Sequence, residues 1–204
     1  SLNSHKNFRE VTDEDDLSEH TKIPYHTVFD VKFDFRRKAR LVLQGNYVDP
    51  PKEDIYSGVV NMDSARLAFT IAAMNNLNAC AADISTAFLC GKAREKVCII
   101  AGKEFGDLAG KPLIVDKSCC GLKSSAAAFH SHCSEKIRRM GIKPSKMDPD
   151  LCIRKAKNKD HHEMLACCVN DIIAFSESPG EIIDEFRKTH VPKGVKEPKY
   201  YLGG

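Results

Sequence analysis

The chain has 204 residues, 42% of them hydrophobic, which is enough to bury an ordinary core as one domain or as two small lobes and excludes a disordered tail. Its 31 lysines and arginines against 28 aspartates and glutamates leave a formal net charge of +3, too small for bulk charge to argue nucleic-acid binding. No run of about 18 apolar residues and no signal-like start is present, so neither a membrane span nor secretion is expected.

Nine cysteines in a chain of this length suggest no disulfide scaffold, and the absence of any C-x-x-C pair argues against zinc. Cys119-Cys120 and Cys167-Cys168, with His130, His132, His161 and His162 nearby in sequence, are read as core residues in preference to metal ligands, because buried thiols are common in cores. A reducing, intracellular compartment follows, without resolving cytoplasm, nucleus or organelle.

Residues 1–22 are polar, acidic and without period, and read as an extended arm. From Val28 the chain alternates strictly, with Phe29, Val31, Phe33 and Phe35 on one face and Asp30, Lys32 and Asp34 on the other, as a half-buried strand does. A turn at Arg36-Arg37 leads to a second strand, Lys38 to Leu43, whose Lys38 and Arg40 lie opposite Ala39, Leu41 and Leu43. By themselves these cations are a solvated strand face. Asp49-Pro50-Pro51 breaks the sheet, and Asn61 to Asp63 can cap a helix over Ser64 to Asn76, apolar around much of its circumference and so expected to be largely buried.

Ala79 to Ile84 is a short buried strand ending near Asp83, a residue that could equally cap the following turn, Ser85 to Phe88. Val97 to Ala101 and Leu113 to Asp116 are two further strands. Residues 118–125 form a loop entering a helix with Phe129, Cys133, Ile137 and Met140 on its apolar face and Gly141 as its stop. Asp148-Pro149-Asp150 reads as a turn before the strand Leu151 to Ile153, and the charged stretch after it as a solvated connection.

Residues 163–178, EMLACCVNDIIAFSES, hold two apolar runs too short for helices, joined through Asn170-Asp171, and read as a β-hairpin with a carboxylate at its tip. Asp83 is the other acidic group in such apolar company. If the two segments pair, Asp83 and Asp171 converge, an arrangement suited to holding divalent metal ions that activate an attacking oxygen and steady a leaving group. Ser178-Pro179-Gly180-Glu181 is a capping box opening a helix to about His190.

Seven segments, VFDVKFDFRRKARLV (28–42), YSGVVNMDSARLAFTIAAMNNL (56–77), AADISTAFL (81–89), CGLKSSAAAFHSH (120–132), KPSKMDPDLCIR (143–154), CVND (168–171) and YLGG (201–204), resemble in order the reverse transcriptases of Ty1/copia-class retrotransposons, especially an algal and protist branch. The resemblance implies an α+β fold: a polymerase-type palm, its antiparallel sheet packed by helices on one face, plus a small fingers β-hairpin. It divides the chain into the acidic arm 1–22, a fingers-like region 23–60 and a palm-like region 61–204, with thumb and ribonuclease H absent.

The resemblance further implies Asp83 and Asp171 as catalytic metal ligands for Mg²⁺, or Mn²⁺, and a nucleotide site drawn from Lys38, Arg40, Phe88, Gly121 and Lys123. Phe88 stands where the family excludes a 2′-hydroxyl, and Tyr200 to Gly204 where it grips the primer. Template-primer and deoxynucleotide are the implied partners. The family carries a tyrosine, a variable residue and two aspartates at the hairpin tip, whereas this chain has Cys168, Val169, Asn170 and Asp171. Asn170 thus replaces a metal-binding aspartate, although asparagine is also a good turn residue. Cys120 likewise stands where the family has tyrosine. These departures point to a polymerase of greatly reduced or no activity, or to a co-opted, domesticated pseudoenzyme serving as a structural or protein-binding subunit, or to nucleic-acid binding without catalysis.

Overall fold

The computed structural model describes residues 7–31, 35–52, 55–84, 91–157, 159–168, 171–187 and 192–196. The chain forms two compact units, Ser1–Tyr56 with Phe88–Phe129, and Ser57–Ala87 with His130–Gly204. The fold is α+β, with three sheets and three α-helices among the described residues.

In the first unit, β1 (Phe8–Glu10) and β2 (Thr21–Lys22) flank β7 (Pro112–Val115) and β6 (Val97–Ile100) in a sheet of order β1-β7-β6-β2. The acidic stretch expected as an arm therefore supplies two strands and a 3₁₀ turn at Leu17–Glu19, capped by the Asp16 side chain. Its order comes from pairing: Arg9 donates to both oxygens of Asp15 at 2.6 Å and to Asp116 at 3.1 Å. Residues 88–129, grouped by the sequence reading with the palm-like region, lie in this unit because Val97, Ile99, Leu113 and Val115 share one core with Ile23 and Leu43. Phe105 closes that core, edge-on to Phe8 and Tyr25.

The expected hairpin is the antiparallel pair β3 (Tyr25–Val31) and β4 (Arg37–Leu43). It forms a sheet of two strands, so side chains beyond its base have nothing to pack on within it. Phe29 is 79% exposed for that reason, although alternation alone suggested a half-buried face.

The second unit is built on a six-stranded antiparallel sheet of order β12-β5-β11-β10-β9-β8. Its strands are β5 (Asn78–Ile84), β8 (Lys143–Pro144), β9 (Leu151–Lys155), β10 (His162–Cys168), β11 (Asp171–Ser176) and β12 (Pro192–Lys196). Ala79, Ala81, Ile173 and Phe175 point to one face and pack with α1 (Met62–Met74), Phe69 meeting Phe175 edge-on at 4.9 Å. The intervening Ala82, Ile84, Ile172 and Ala174 are buried too, on the face that alternation assigns to α3 (Pro179–Arg187), which packs on β5 and β11. Helices thus cover both faces of the sheet, not one. The sequence signal was the continuous apolar run of β11, the mark of a strand buried on both sides.

Helix α1 is less buried than its composition suggested. The side chain of Asn61 caps it, accepting from Asp63 N at 2.9 Å, and Ala65, Ala68 and Ala72 face the sheet, while Leu67, Ile71 and Met74 are exposed. Small residues let the helix approach the strands closely and leave the larger ones outward. Gly141, at φ 76°, ends α2 (Ser125–Arg139), and the Ile142 N–H donates back to Ile137 O at 3.2 Å.

Candidate functional site

The hairpin β10–β11 is in register from Met164 opposite Phe175 to Cys168 opposite Asp171. Asn170 itself, like Phe88 and residues 200–204, lies outside the described residues. On its other edge β11 pairs with β5, and the register sets Asp171 directly opposite Asp83. Directly opposed residues on antiparallel strands project to the same face with Cβ atoms roughly 5 Å apart, so the two carboxylates share one spot. Both are exposed, although they continue the face on which α1 packs over Ala81 and Ile173. The helix covers that face farther along the strands and leaves this end open.

The Asp171 carboxyl is pushed above its ordinary value, first by partial burial and then by the charge of Asp83. Two like charges held face to face repel, and a divalent cation between them relieves that repulsion. The donor chemistry therefore fits a hard cation with oxygen ligands. It is a pair and no more: no cluster of three His, Cys, Asp or Glu able to hold a metal occurs among the described residues.

The remaining candidates lie in the first unit. Lys38 and Arg40 share one face of β4, opposite Asp30 and Val28 respectively, with Lys38 half-buried and Arg40 exposed. The 118–124 loop is fastened to the base of the same hairpin. Leu43 N donates to Cys120 O at 2.8 Å, and Gly121, at φ 97°, comes so near that a Cβ there would sit 1.9 Å from Leu43 O. Only glycine permits that backbone path. The Lys123 ammonium donates to Val48 O at 2.8 Å and keeps two donors for another partner. Glu95 supports the loop from below: its buried carboxylate accepts from Ser124 N at 2.8 Å and from Ser124 Oγ at 2.5 Å, directly before α2 begins. Cys120 is half-buried.

Sequence reasoning passed over a second carboxylate pair in the second unit. Asp148 and Asp150 were read as turn residues, and both are buried. Asp148 accepts from Asn61 N at 2.8 Å and Asp150 N at 2.9 Å, while Asp150 meets His130 Nε2 at 2.5 Å. A Cβ on Gly58 would lie 2.2 Å from Asp150 Oδ2. Backbone donors hold the Asp148 carboxyl below its ordinary value despite burial. These groups fasten the segment entering α1 to the turn before β9. The only signal for it was the pair of acids around Pro149, which reads the same as an exposed turn.

Comparison with known proteins agrees with this architecture. A family model of the Ty1/copia-type reverse transcriptase (RNA-dependent DNA polymerase) matches residues 10–196. Among solved structures, the foamy viral protease-reverse transcriptase dRH in complex with double-stranded DNA is similar, with a TM-score of 0.50 and 14% identity over 99% of this chain. The chain spans 31% of the length of that protein. No curated protein matches. With the match covering nearly its whole length, the chain belongs to the reverse transcriptase (RNA-dependent DNA polymerase) family.

Proposed function

We propose that the chain is the fingers and palm portion of an RNA-directed DNA polymerase whose metal site is one negative charge short. The observation that carries this reading is the direct opposition of Asp83 and Asp171 on β5 and β11. Asp83 and Asp171 would hold Mg²⁺ or Mn²⁺, which when bound lowers the barrier by activating the attacking hydroxyl and steadying the leaving diphosphate. The two carboxylates fix where that charge sits. Lys38, Arg40 and Lys123 supply donors for phosphate oxygens, Phe88 limits the sugar to deoxyribose, and Gly121 allows the loop before α2 its close path.

Asn170 contributes a neutral oxygen in place of a carboxylate, so the charge on the transferring group is less fully offset. Each ~1.4 kcal/mol lost from the transition state costs about tenfold in rate, and several such steps bring extension to background. The test is primer extension on an RNA template with Mg²⁺ or Mn²⁺, comparing the parent chain with Asn170→Asp. A gain confined to the variant supports the reading, and extension by the parent overturns the claim of a weakened site.

A second reading is a co-opted fold that binds protein partners without chemistry. It is favoured by the pattern of change: Cys120, Cys168 and Asn170 depart from the family, while β5 and β11 of the second unit keep an intact core. Absence of extension by both chains, with a partner recovered in pull-down, supports this reading.

A further inference from the structure

We propose that the second unit carries a binding place for the phosphodiester backbone of a nucleic-acid strand at the open edge of its sheet, separate from Asp83 and Asp171. A cavity of about 460 Å³ lies there, and Lys143, Arg154, Lys155, Lys157 and His162 all line it. No acidic side chain among the described residues lines it.

The sheet register assembles these cations from three strands. Lys155 on β9 is directly opposite His162 on β10, and Lys143 on β8 is opposite Ile153, two residues before Lys155 on the same face. With strands about 4.8 Å apart and about 3.3 Å per residue, Lys143, Lys155 and His162 fall within ~12 Å of one another. Lys157 follows from the turn after β9. The place is remote from the carboxylate pair, because Cys168, not His162, is the β10 residue opposite Asp171. At ~3.3 Å per residue, that is a separation of about 20 Å along the strand.

The lysines and arginine divide into one structural cation and three that face solvent, with His162 exposed beside them. Arg154 is spoken for: its guanidinium donates to Glu163 at 2.6 Å, Glu185 at 3.0 Å and Met140 O at 2.7 Å. That last bond also caps a terminal carbonyl of α2, which removes part of the helix's negative end from the cavity wall. Lys155 stands 3.7 Å from Asp160, an exposed pair of little worth in water. Lys143, Lys157 and His162 are exposed, and none forms an ion pair among the described residues. So much like charge at the rim of one concavity raises its affinity for anions.

The chemistry selects a phosphate chain. Along a duplex axis each strand carries a charge about every 3.4 Å, so a cluster ~12 Å across faces about three phosphates. Flexible lysines answer point charges without fixing a base, and no aromatic ring among the described residues lines the cavity for a base to stack on. The contact is therefore independent of sequence. It does not rest on polymerisation, and an inactive chain retains it.

The experiment measures anisotropy of a labelled single-stranded oligonucleotide with the whole chain across a salt series. Reversal of the cavity by Lys143→Glu with Lys157→Glu is compared with a control pair outside it, Lys103→Glu with Lys111→Glu, and with the milder Lys143→Gln with Lys157→Gln should the first fail to fold. The expected result is at least a tenfold loss for the reversed cavity, a slope of log affinity on log salt shallower by about one to two, and a clearly smaller loss for the control pair. Equal losses in both pairs, or no loss in the folded glutamine variant, overturn the proposal. So does a parent chain that binds an acidic peptide in competition but no oligonucleotide.

Discussion

Gly121 lies so close to the backbone of Leu43 that a single added methyl group would come within 1.9 Å of its carbonyl oxygen. The 118–124 loop and the end of β4 are thereby held as one piece, joined also by Leu43 N donating to Cys120 O at 2.8 Å. Gly121→Ala meets two penalties, a φ of 97° that side chains rarely adopt and a clash with backbone that cannot rotate away. Their sum is roughly 2–5 kcal/mol. Denaturant unfolding of the variant is expected to show a lower midpoint of that size, and a midpoint equal to the parent's would refute the tight junction.

The opposition of Asp83 and Asp171 makes an opposite forecast for stability. Folding raises the Asp171 pKa, so the contribution of that group is present at acid pH and is lost as the pH rises through the folded-state value. At neutral pH the charge on Asp171, held opposite Asp83, works against the fold. Asp83→Asn is therefore expected to stabilise the chain at pH 7 by a few tenths to about 1 kcal/mol, the scale of cross-strand pairs, and to have no such effect near pH 3. Millimolar Mg²⁺ is expected to raise the parent's melting temperature and to do so less in the variant. Melting curves at the two pH values decide it, and a variant less stable than the parent at pH 7 rules out the repulsion.

Arg9 clamps Asp15 in the acidic stretch that precedes β2. Its guanidinium, with the Thr12 backbone N–H and hydroxyl, holds the Asp15 carboxyl well below the ordinary 3.8. A depressed carboxylate adds stability that is complete above its unfolded-state pKa and disappears as the pH falls through the folded value. Asp15→Asn is expected to destabilise the chain at pH 6, and its difference from the parent to shrink steadily as the pH falls below about 4. Unfolding followed across pH 2–6 tests this, and parallel curves would assign the bond no role in fastening β1 to the turn at Thr12–Asp15.

Several elements were plain from residues alone because local chemistry decides them. Strict alternation made the β3–β4 strands legible, Asn61 marked the start of α1, Gly141 the end of α2, and two short apolar runs the β10–β11 hairpin. Elements without such signals were missed. The strands at Phe8–Glu10 and Thr21–Lys22 are too short and polar to show a period, and they exist only because β7 and β6 offer them open edges. Asp148 and Asp150 looked like surface turn residues because nothing nearby in sequence shows that backbone N–H groups and His130 arrive to meet them. The exposure of Leu67 and Met74 was equally hidden, since composition counts apolar residues without saying which face a sheet will take.

The amino-acid sequence by itself determined the class of fold, the family, and which two acidic residues stand among apolar strands. What only the tertiary structure decided was pairing: that β11 lies against β5 in the register that sets Asp171 across from Asp83, that a glycine loop is seated on Leu43, and that lysines of β8, β9 and the turn after it crowd one sheet edge. Periodicity is a property of neighbours along the chain, whereas register and edge composition depend on residues far apart in it, and only the folded packing brings those together.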